Sequence, residues 1–324
     1  MRKNENSVHL EGRLYQCDLE IKTVKNADSA NFGKEFIQGA IHIATDEEGM
    51  NVVPVYYTYV TPTTKAGKPN ATFSLLKRFI DDPNTAWIKG GKENAAAVIV
   101  DSSIALNEFY VEENGESTLV SAKRVEGGFI SLAQKGLSEN PEARNIFKAD
   151  MLITNTAYIE PNEEKGLAGY LDVRGAIFNF KNDLLPISFK LKAEDGITYF
   201  ESLGIQPSNP LYVQVWGPIE CSTITETKEV KAAFGKNAVQ ISTKSFRDWV
   251  ITSIAETAYE FGEEGVLTAD EVTKAMQDRE VMLAEKKSQR EEYLAKKNAA
   301  PAKTGFPAVT PAPTPSVNPG GFTF

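Results

Sequence analysis

The chain has 324 residues, is 41% hydrophobic and 24% charged, and carries a net charge of −9, so it has the size of about two globular domains. Its two cysteines and two histidines exclude a disulfide framework and a regularly spaced zinc site, and no stretch approaches the ~20 consecutive apolar residues of a membrane span. The acidic balance argues against a uniformly basic nucleic-acid binder, although positive and negative charges cancel over residues 1–100, which leaves room for a local basic groove.

The first half of the chain predicts five strands and one short helix. SVHLEGRLYQCDLEIKTV and EFIQGAIHIAT alternate apolar and polar residues, and NVVPVYYTYV is rich in β-branched and aromatic residues. ATFSLLKRFIDD has helical apolar spacing, and two strand regions follow around a Glu-Asn-Gly-Glu turn. A helix between the third and fourth of five strands is the arrangement of an OB barrel. Residues 1–140 are therefore predicted to be a first OB-fold domain, with another small mixed β domain as the alternative.

The second half repeats this order. Strand-like runs LAGYLDVRGAIFNF and DLLPISFKLK precede the short helix GITYFESLG, and PLYVQVWGPIECST and SFRDWVITS follow. The GAI of residues 39–41 matches that of 175–177, and Pro54 matches Pro186, which indicates an internal duplication. We expect a mainly β protein with two tandem OB-fold-like five-stranded barrels, each with a short helix, and we place the second domain at residues 150–262.

The chain beyond the second domain has a different composition. Thr268 and Glu271 have the spacing of a capping box, and the charged stretch that follows contains no Gly or Pro and few apolar residues. It predicts a long C-terminal helix over residues 268–299 that is solvated or lightly docked. Residues 300–324 are rich in Pro and Gly and are predicted to form a disordered tail.

Motifs of catalysis are missing from the sequence. There is no phosphate-binding GKS or GKT loop, no GxGxxG, no HExxH and no GxSxG. The paired carboxylates Glu163 and Glu164 lie in turn sequence, where solvation is their ordinary role. We therefore predict that the protein is not an enzyme and needs neither a cofactor nor a metal.

A binding role is better supported, because sequence-tolerant binding of single strands needs cations along the phosphates and aromatic faces for the bases. Strand alternation assigns Val53, Val55, Tyr57 and Tyr59 to the core and exposes the opposite faces of the second and third strands in each half. Ordinary packing or solvation is the alternative for each exposed residue, and for the phenylalanines packing against the neighbouring barrel. The predicted DNA-binding residues are Arg13, Tyr15, His42, Tyr56, Lys65, Lys68, Arg174, Phe178, Phe180, Lys190 and Lys192.

Several runs resemble a group of bacteriophage proteins with two OB barrels, a helix and a flexible tail. They are EFIQGAIHIATDEEG, IALNEFYVEENGE, LDVRGAIFNFKNDLLPISFKL, YFESLGIQPSNPLYVQVWGPI, SFRDWVITS and TADEVTKAMQDRE, and the similarity extends over residues 7–285. The resemblance implies a single-stranded-DNA-binding protein of phage replication or recombination, without a cofactor, in the host cell cytoplasm. It defines no contact residues, so none is carried over.

The tail departs from a known pattern. Bacterial single-stranded-DNA-binding proteins end in an acidic tip that closes on Phe and recruits partners, whereas this chain ends in GGFTF with no acidic run. Recruitment of replication or recombination proteins through Phe322 and Phe324 is a hypothesis, and a tail without a role is its alternative.

Two other functions compete with DNA binding. A structural virion or tail protein could use OB barrels for protein contacts, and a recombination mediator could use the helix of residues 268–299 as its interaction element. The sequence leaves open the oligomeric state, the site size, the choice between DNA and RNA, and whether both barrels bind.

Overall fold

The computed structural model describes residues 4–113, 116–162, 167–230, 234, 238–263 and 266–299. Within these residues the chain forms twelve strands and four α-helices, so the expected mainly β fold with a C-terminal helix is confirmed. The predicted disordered tail with Phe322 and Phe324, and the turn carboxylates Glu163 and Glu164, lie outside the described residues.

The first half pairs its five strands in a closed order. β1 pairs with β2, β2 with β3, β3 with β5 in parallel, β5 with β4, and β4 again with β1. Helix α1 is capped by Asn70, whose side chain accepts from the Thr72 amide, and it buries Phe73, Leu76 and Phe79 in the core. The elements are β1 (Asn6–Thr23), β2 (Glu35–Ala44), β3 (Val52–Val60), α1 (Ala71–Asp81), α2 (Trp87–Gly90), β4 (Ala97–Glu113) and β5 (Glu116–Leu132).

The second half has the same pairing order with its last two strands interrupted. β6 pairs with β7, β7 with β8, β8 with β11 in parallel, and β9 with both β12 and β6. Pro218 separates β9 from β10, and Thr252 separates β11 from β12. The elements are β6 (Asn145–Ile159), β7 (Tyr170–Phe178), β8 (Leu184–Leu191), α3 (Glu194–Ser202), β9 (Leu211–Gly217), β10 (Ile219–Val230), β11 (Ala238–Ile251), β12 (Ser253–Ile254) and α4 (Ala269–Ala299).

The repeated glycines occupy equivalent places in the two halves. A Cβ on Gly39 would lie 2.1 Å from the Asp18 carbonyl oxygen, and one on Gly175 would lie 2.0 Å from the Leu152 carbonyl oxygen. Only glycine allows the neighbouring strand to approach this closely. The halves therefore share a backbone constraint at the GAI motif.

The predicted equivalence of Pro54 and Pro186 is wrong, because the two prolines differ in their register relative to the repeated glycines. Gly39 lies opposite Tyr57, whereas Gly175 lies opposite Ile187. Aligning the glycines therefore puts Pro54 and Pro186 two positions apart. Because strand side chains alternate with a period of two, this shift leaves the core and outward faces unchanged.

The predicted core position Tyr59 is also wrong. Its side chain is 46% exposed and packs on Phe36, with ring centroids 4.7 Å apart. The pairing of β2 with β3 shifts register between Ile37 and Gly39, so the alternation that buries Val53, Val55 and Tyr57 does not extend to Tyr59.

The two halves are joined by strand pairing and by two long hairpins. Asn6–Leu10 of β1 pairs with residues 145–149 of β6. Beyond the closed pairing of the first half, the β4–β5 hairpin continues to the second half, where Lys123 Nζ donates to the Ser188 carbonyl oxygen. The β10–β11 hairpin makes the reverse contact, because the Cys221 amide donates to Asn51 Oδ1 at 2.7 Å. Each half thus extends one hairpin that contacts the other half.

Helix α4 begins with the predicted capping box and contacts both halves, at β4 and at β8. The Glu271 amide donates to Thr268 Oγ1 at 3.2 Å, and the Thr268 amide donates to Glu271 Oε2 at 2.9 Å. Farther along, the Arg279 guanidinium forms an ion pair with Glu108 of β4, and both side chains are nearly buried. In the part of the chain described, no helix combines the length and apolar character needed to cross a membrane.

Candidate nucleic-acid interface

A half-buried lysine, Lys123, lies where the β4–β5 hairpin meets the second half. Lys123 Nζ donates to the Ser188 carbonyl oxygen and lies 5.5 Å from the centroid of the Phe189 ring. Burial lowers the pKa of Lys123 to about 8, because a low-dielectric surrounding disfavours the ammonium. Strongly shifted pKa values are concentrated at functional sites, so this position is a candidate functional site.

Lys123 lies in a groove of about 460 Å³ between the β4–β5 hairpin and the outward faces of β6, β7 and β8. We call it the Lys123 groove. Two cations and three hydroxyls line it, together with apolar side chains of β4 and β8, and none of its described lining residues is a carboxylate. Cations and hydroxyl donors are the groups that bind phosphate oxygens. The polar lining residues are Ser121, Lys123, Thr154, Arg174 and Ser188.

Arg174 is the predicted binding residue that the structure places in this groove. Its side chain is 50% exposed and its Nε forms an ion pair with Asp172 Oδ2 at 2.6 Å. A guanidinium has five N–H donors, so one carboxylate leaves capacity for a phosphate. Arg174 and Lys123 come from different halves of the chain, and the fold brings them together.

Lys190 and Lys192 lie on the same side of the second half but are engaged with carboxylates. Lys190 Nζ is 2.7 Å from Asp248 Oδ1 and 4.4 Å from the centroid of the Tyr170 ring. Lys192 Nζ is 2.7 Å from Glu220 Oε2 and 3.2 Å from Asp248 Oδ2. Burial alone would lower the pKa of Lys192, but its bonds to these two carboxylates raise it. Neighbouring carboxylates therefore offset the positive charge of both lysines, which should attract a phosphate less strongly than the sequence alone indicates.

The predicted exposure of Phe178 is wrong. The side chain is on the outward face of β7 as expected, but it is 1% exposed because it packs in a cluster with Leu267, just before α4, and with Val272 and Ala275 of α4. Phe178 is therefore a packing contact for α4 and is too buried to contact DNA. Phe180 follows in the β7–β8 turn and is 89% exposed, with Lys181 Nζ 5.6 Å from its ring centroid.

Arg13 and Tyr15 stabilise the first half away from the groove. Arg13 Nη1 donates to the Ala95 carbonyl at 3.1 Å, and the Tyr15 ring packs against Trp87 at 5.8 Å between centroids. Both side chains thus fasten β1 to the segment around α2. They are half-buried, which is a correction to their predicted place on an open binding face.

The remaining predicted residues of the first half do not form one surface. His42 Nε2 lies 3.1 Å from Asp18 Oδ2, and burial lowers the pKa of His42. Lys65 and Lys68 are exposed in the loop after β3. Tyr56 alone is beside the hairpin, with the Arg124 guanidinium carbon 5.5 Å from its ring centroid.

Sequence reasoning missed the residues that the β4–β5 hairpin contributes. Ser121, Lys123 and Arg124 lie in STLVSAKRVEGG, which was assigned only as a strand. A Lys-Arg pair inside an apolar alternating strand was the available signal, because one of two adjacent strand residues must face inward. No group of three His, Cys, Asp or Glu side chains among the described residues could hold a metal ion.

Comparisons with known proteins place the chain in a family. No protein with a curated description matches it. The crystal structure of the wild-type single-stranded DNA binding protein from Thermus aquaticus is similar at 10% identity and a TM-score of 0.45, over 81% of this chain and 97% of that chain. A deletion mutant of that protein is similar at 10% identity and a TM-score of 0.43, over 82% and 100%. The YorF family model matches residues 4–289, which is most of the chain, and the protein therefore belongs to the YorF family.

Proposed function

We propose that the protein binds single-stranded DNA without strong sequence preference, with the phosphate backbone lying in the Lys123 groove. Two cations and three hydroxyls, contributed by both halves, converge there with no carboxylate among the described lining residues. This observation carries the proposal, because a chain of net charge −9 would otherwise repel a polyanion.

The strand pairing supports the same function. In both halves the first strand pairs with the second and fourth, the third pairs in parallel with the fifth, and a helix precedes the fourth. Allowing for the interruptions at Pro218 and Thr252, we interpret the halves as tandem five-stranded OB-fold-like barrels over residues 1–140 and 150–262. OB folds bind oligonucleotides on the second and third strands and on the loop between the fourth and fifth. The Lys123 groove is built from the corresponding elements of two different halves.

The biological setting is the remaining part of the proposal. The sequence resemblance supports a role in bacteriophage replication or recombination in the host cytoplasm, by binding rather than by catalysis. Recruitment of replication proteins through Phe322 and Phe324 stays a prediction. This recruitment can be tested by comparing how much replication protein is pulled down by the full chain and by a chain that ends at residue 300.

The proposal is tested by titrating fluorescent oligo(dT) with the full chain at several salt concentrations, with unlabelled duplex as competitor. We expect tight, salt-sensitive binding that duplex does not displace. The double variant Lys123→Met, Arg174→Ala should bind more weakly, and its plot of log K against log [salt] should be shallower by about 1.4, because each phosphate contact on single strands contributes about 0.7.

A matched control is Lys77→Ala, which removes a lysine of α1 that pairs with Asp81 and leaves the groove intact. The control should retain the wild-type affinity and salt slope. Equal slopes for the double variant and the wild type would place the phosphates elsewhere, and equal competition by duplex would contradict the single-strand preference.

A further inference from the structure

A second cavity adjoins Lys123 and is lined by residues of both halves. Its volume is about 120 Å³, below the roughly 300 Å³ at which cavities hold drug-sized ligands, and this suits a single planar ring. We call it the base pocket. Besides Lys123, its principal lining residues are Pro54, Tyr56, Asn107, Arg124, Arg247 and Trp249.

The base pocket combines flat surfaces with a small number of polar groups. The Arg124 guanidinium lies over the Tyr56 ring, at 5.5 Å from its centroid. Its Nη2 lies 2.6 Å from Glu126 Oε2, and this ion pair holds the guanidinium in place. An arginine plane and an aromatic ring are the surfaces on which nucleobases stack. Asn107 adds two donors and an acceptor, which can bond to the edge of a base.

Charge distinguishes this cavity from the acidic cleft between Asp46 and Glu142. Among its described lining residues are three cations and no carboxylate. The cleft between Asp46 and Glu142, in contrast, is lined by four carboxylates and one arginine. An anionic ligand with a planar group therefore fits the base pocket and not that cleft.

We propose that the base pocket takes one unpaired nucleobase from a strand whose phosphates lie in the Lys123 groove, with the base stacked on Tyr56 and Arg124. This inference rests on the proposed function, which concerns the phosphate backbone, and it identifies the nucleobase as a second part of the DNA that the protein contacts. Lys123 lines both cavities, so a phosphate beside it is next to a base entering the pocket. A base in a duplex is paired and stacked within the helix, so only single-stranded DNA can supply one without first unpairing.

The test separates the base from the backbone by comparing oligo(dT) with an abasic deoxyribose-phosphate oligonucleotide of equal length. The full chain is titrated as wild type, as Tyr56→Ala and as the matched control Tyr56→Phe, which keeps the ring. We expect Tyr56→Ala to lower the affinity for oligo(dT) by about 5- to 150-fold, the range for loss of one stacked base. Its affinity for the abasic oligonucleotide should not change, and Tyr56→Phe should match the wild type with both ligands.

Two results would overturn the base pocket and leave backbone binding in place. One is an unchanged oligo(dT) affinity in Tyr56→Ala, and the other is an equal loss for both oligonucleotides, which would show that Tyr56 only shapes the groove. A wild-type protein that binds neither oligonucleotide would overturn the proposed function itself, and the base pocket with it.

Discussion

Replacing Lys123 with methionine should make the protein more stable and weaken the proposed DNA binding. In the folded chain burial lowers the pKa of Lys123 from 10.5 to about 8, so at pH 7 its charged form carries a penalty of roughly 3 kcal/mol. Methionine removes this penalty and loses the hydrogen bond to the Ser188 carbonyl, which is worth about 1 kcal/mol. The expected gain in the free energy of unfolding at pH 7 is therefore roughly 2 kcal/mol.

The gain should depend on pH in a defined direction. The unfolded chain keeps the Lys123 proton up to pH values near 10.5, whereas the folded chain releases it near pH 8. The unfolded state therefore binds more protons between these values, and the stability of the wild type rises with pH across that window. The methionine variant lacks this rise, so its advantage should shrink by roughly 2.5 kcal/mol between pH 7 and pH 10.

Urea unfolding of both proteins at pH 7 and pH 10 measures these quantities, with Lys77→Ala as the control for loss of a lysine outside the groove. Oligo(dT) titrations between pH 7 and pH 9 measure the functional side, because only the ammonium attracts phosphate. Wild-type affinity should fall as the pH rises, and the variant should bind weakly throughout. Destabilisation of Lys123→Met at pH 7, or parallel pH profiles of stability, would refute the reasoning.

Three further predictions concern the groove and α4. Arg279→Met should destabilise the chain by roughly 3 kcal/mol, because it leaves Glu108 buried without its main partner. Urea unfolding measures this loss, and adding Glu108→Gln to the variant should recover most of it. Phe178→Ala should cost roughly 3 kcal/mol by opening a cavity under α4, and hydrogen exchange should then be faster in α4 than elsewhere. Arg174→Ala should flatten the salt dependence of oligo(dT) binding by about 0.7, whereas Lys190→Ala should change it less, because Asp248 already neutralises that lysine.

The sequence predicted local structure well and contacts between the halves poorly. Alternation in β3 placed Val53 and Val55 in the core because period-two patterns depend only on the strand itself. The predicted burial of Tyr59 was wrong because a register shift in the pairing of β3 with β2 interrupts the alternation. The side of β7 that carries Phe178 was predicted correctly, but its burial depends on α4, more than 80 residues later in the chain.

The proposed binding residues show the same difference between local and long-range information. Arg174 could be found because it lies on the outward face of an alternating strand. The Lys-Arg pair could mark Lys123 as unusual, but its place in the groove could not be predicted, because it depends on a contact between the β4–β5 hairpin and β8, 65 positions apart. Long-range contacts of this kind leave no periodic signal in either segment, so only the folded chain shows which cations share a surface.

The exchange of hairpins has a consequence for how the protein can be divided. Cutting the chain between β5 and β6 would separate the β4–β5 hairpin and the β10–β11 hairpin from the halves that they contact. Each fragment would also expose the surface that the other fragment's hairpin had covered. We therefore expect separately produced fragments to be poorly soluble and to reassociate when mixed.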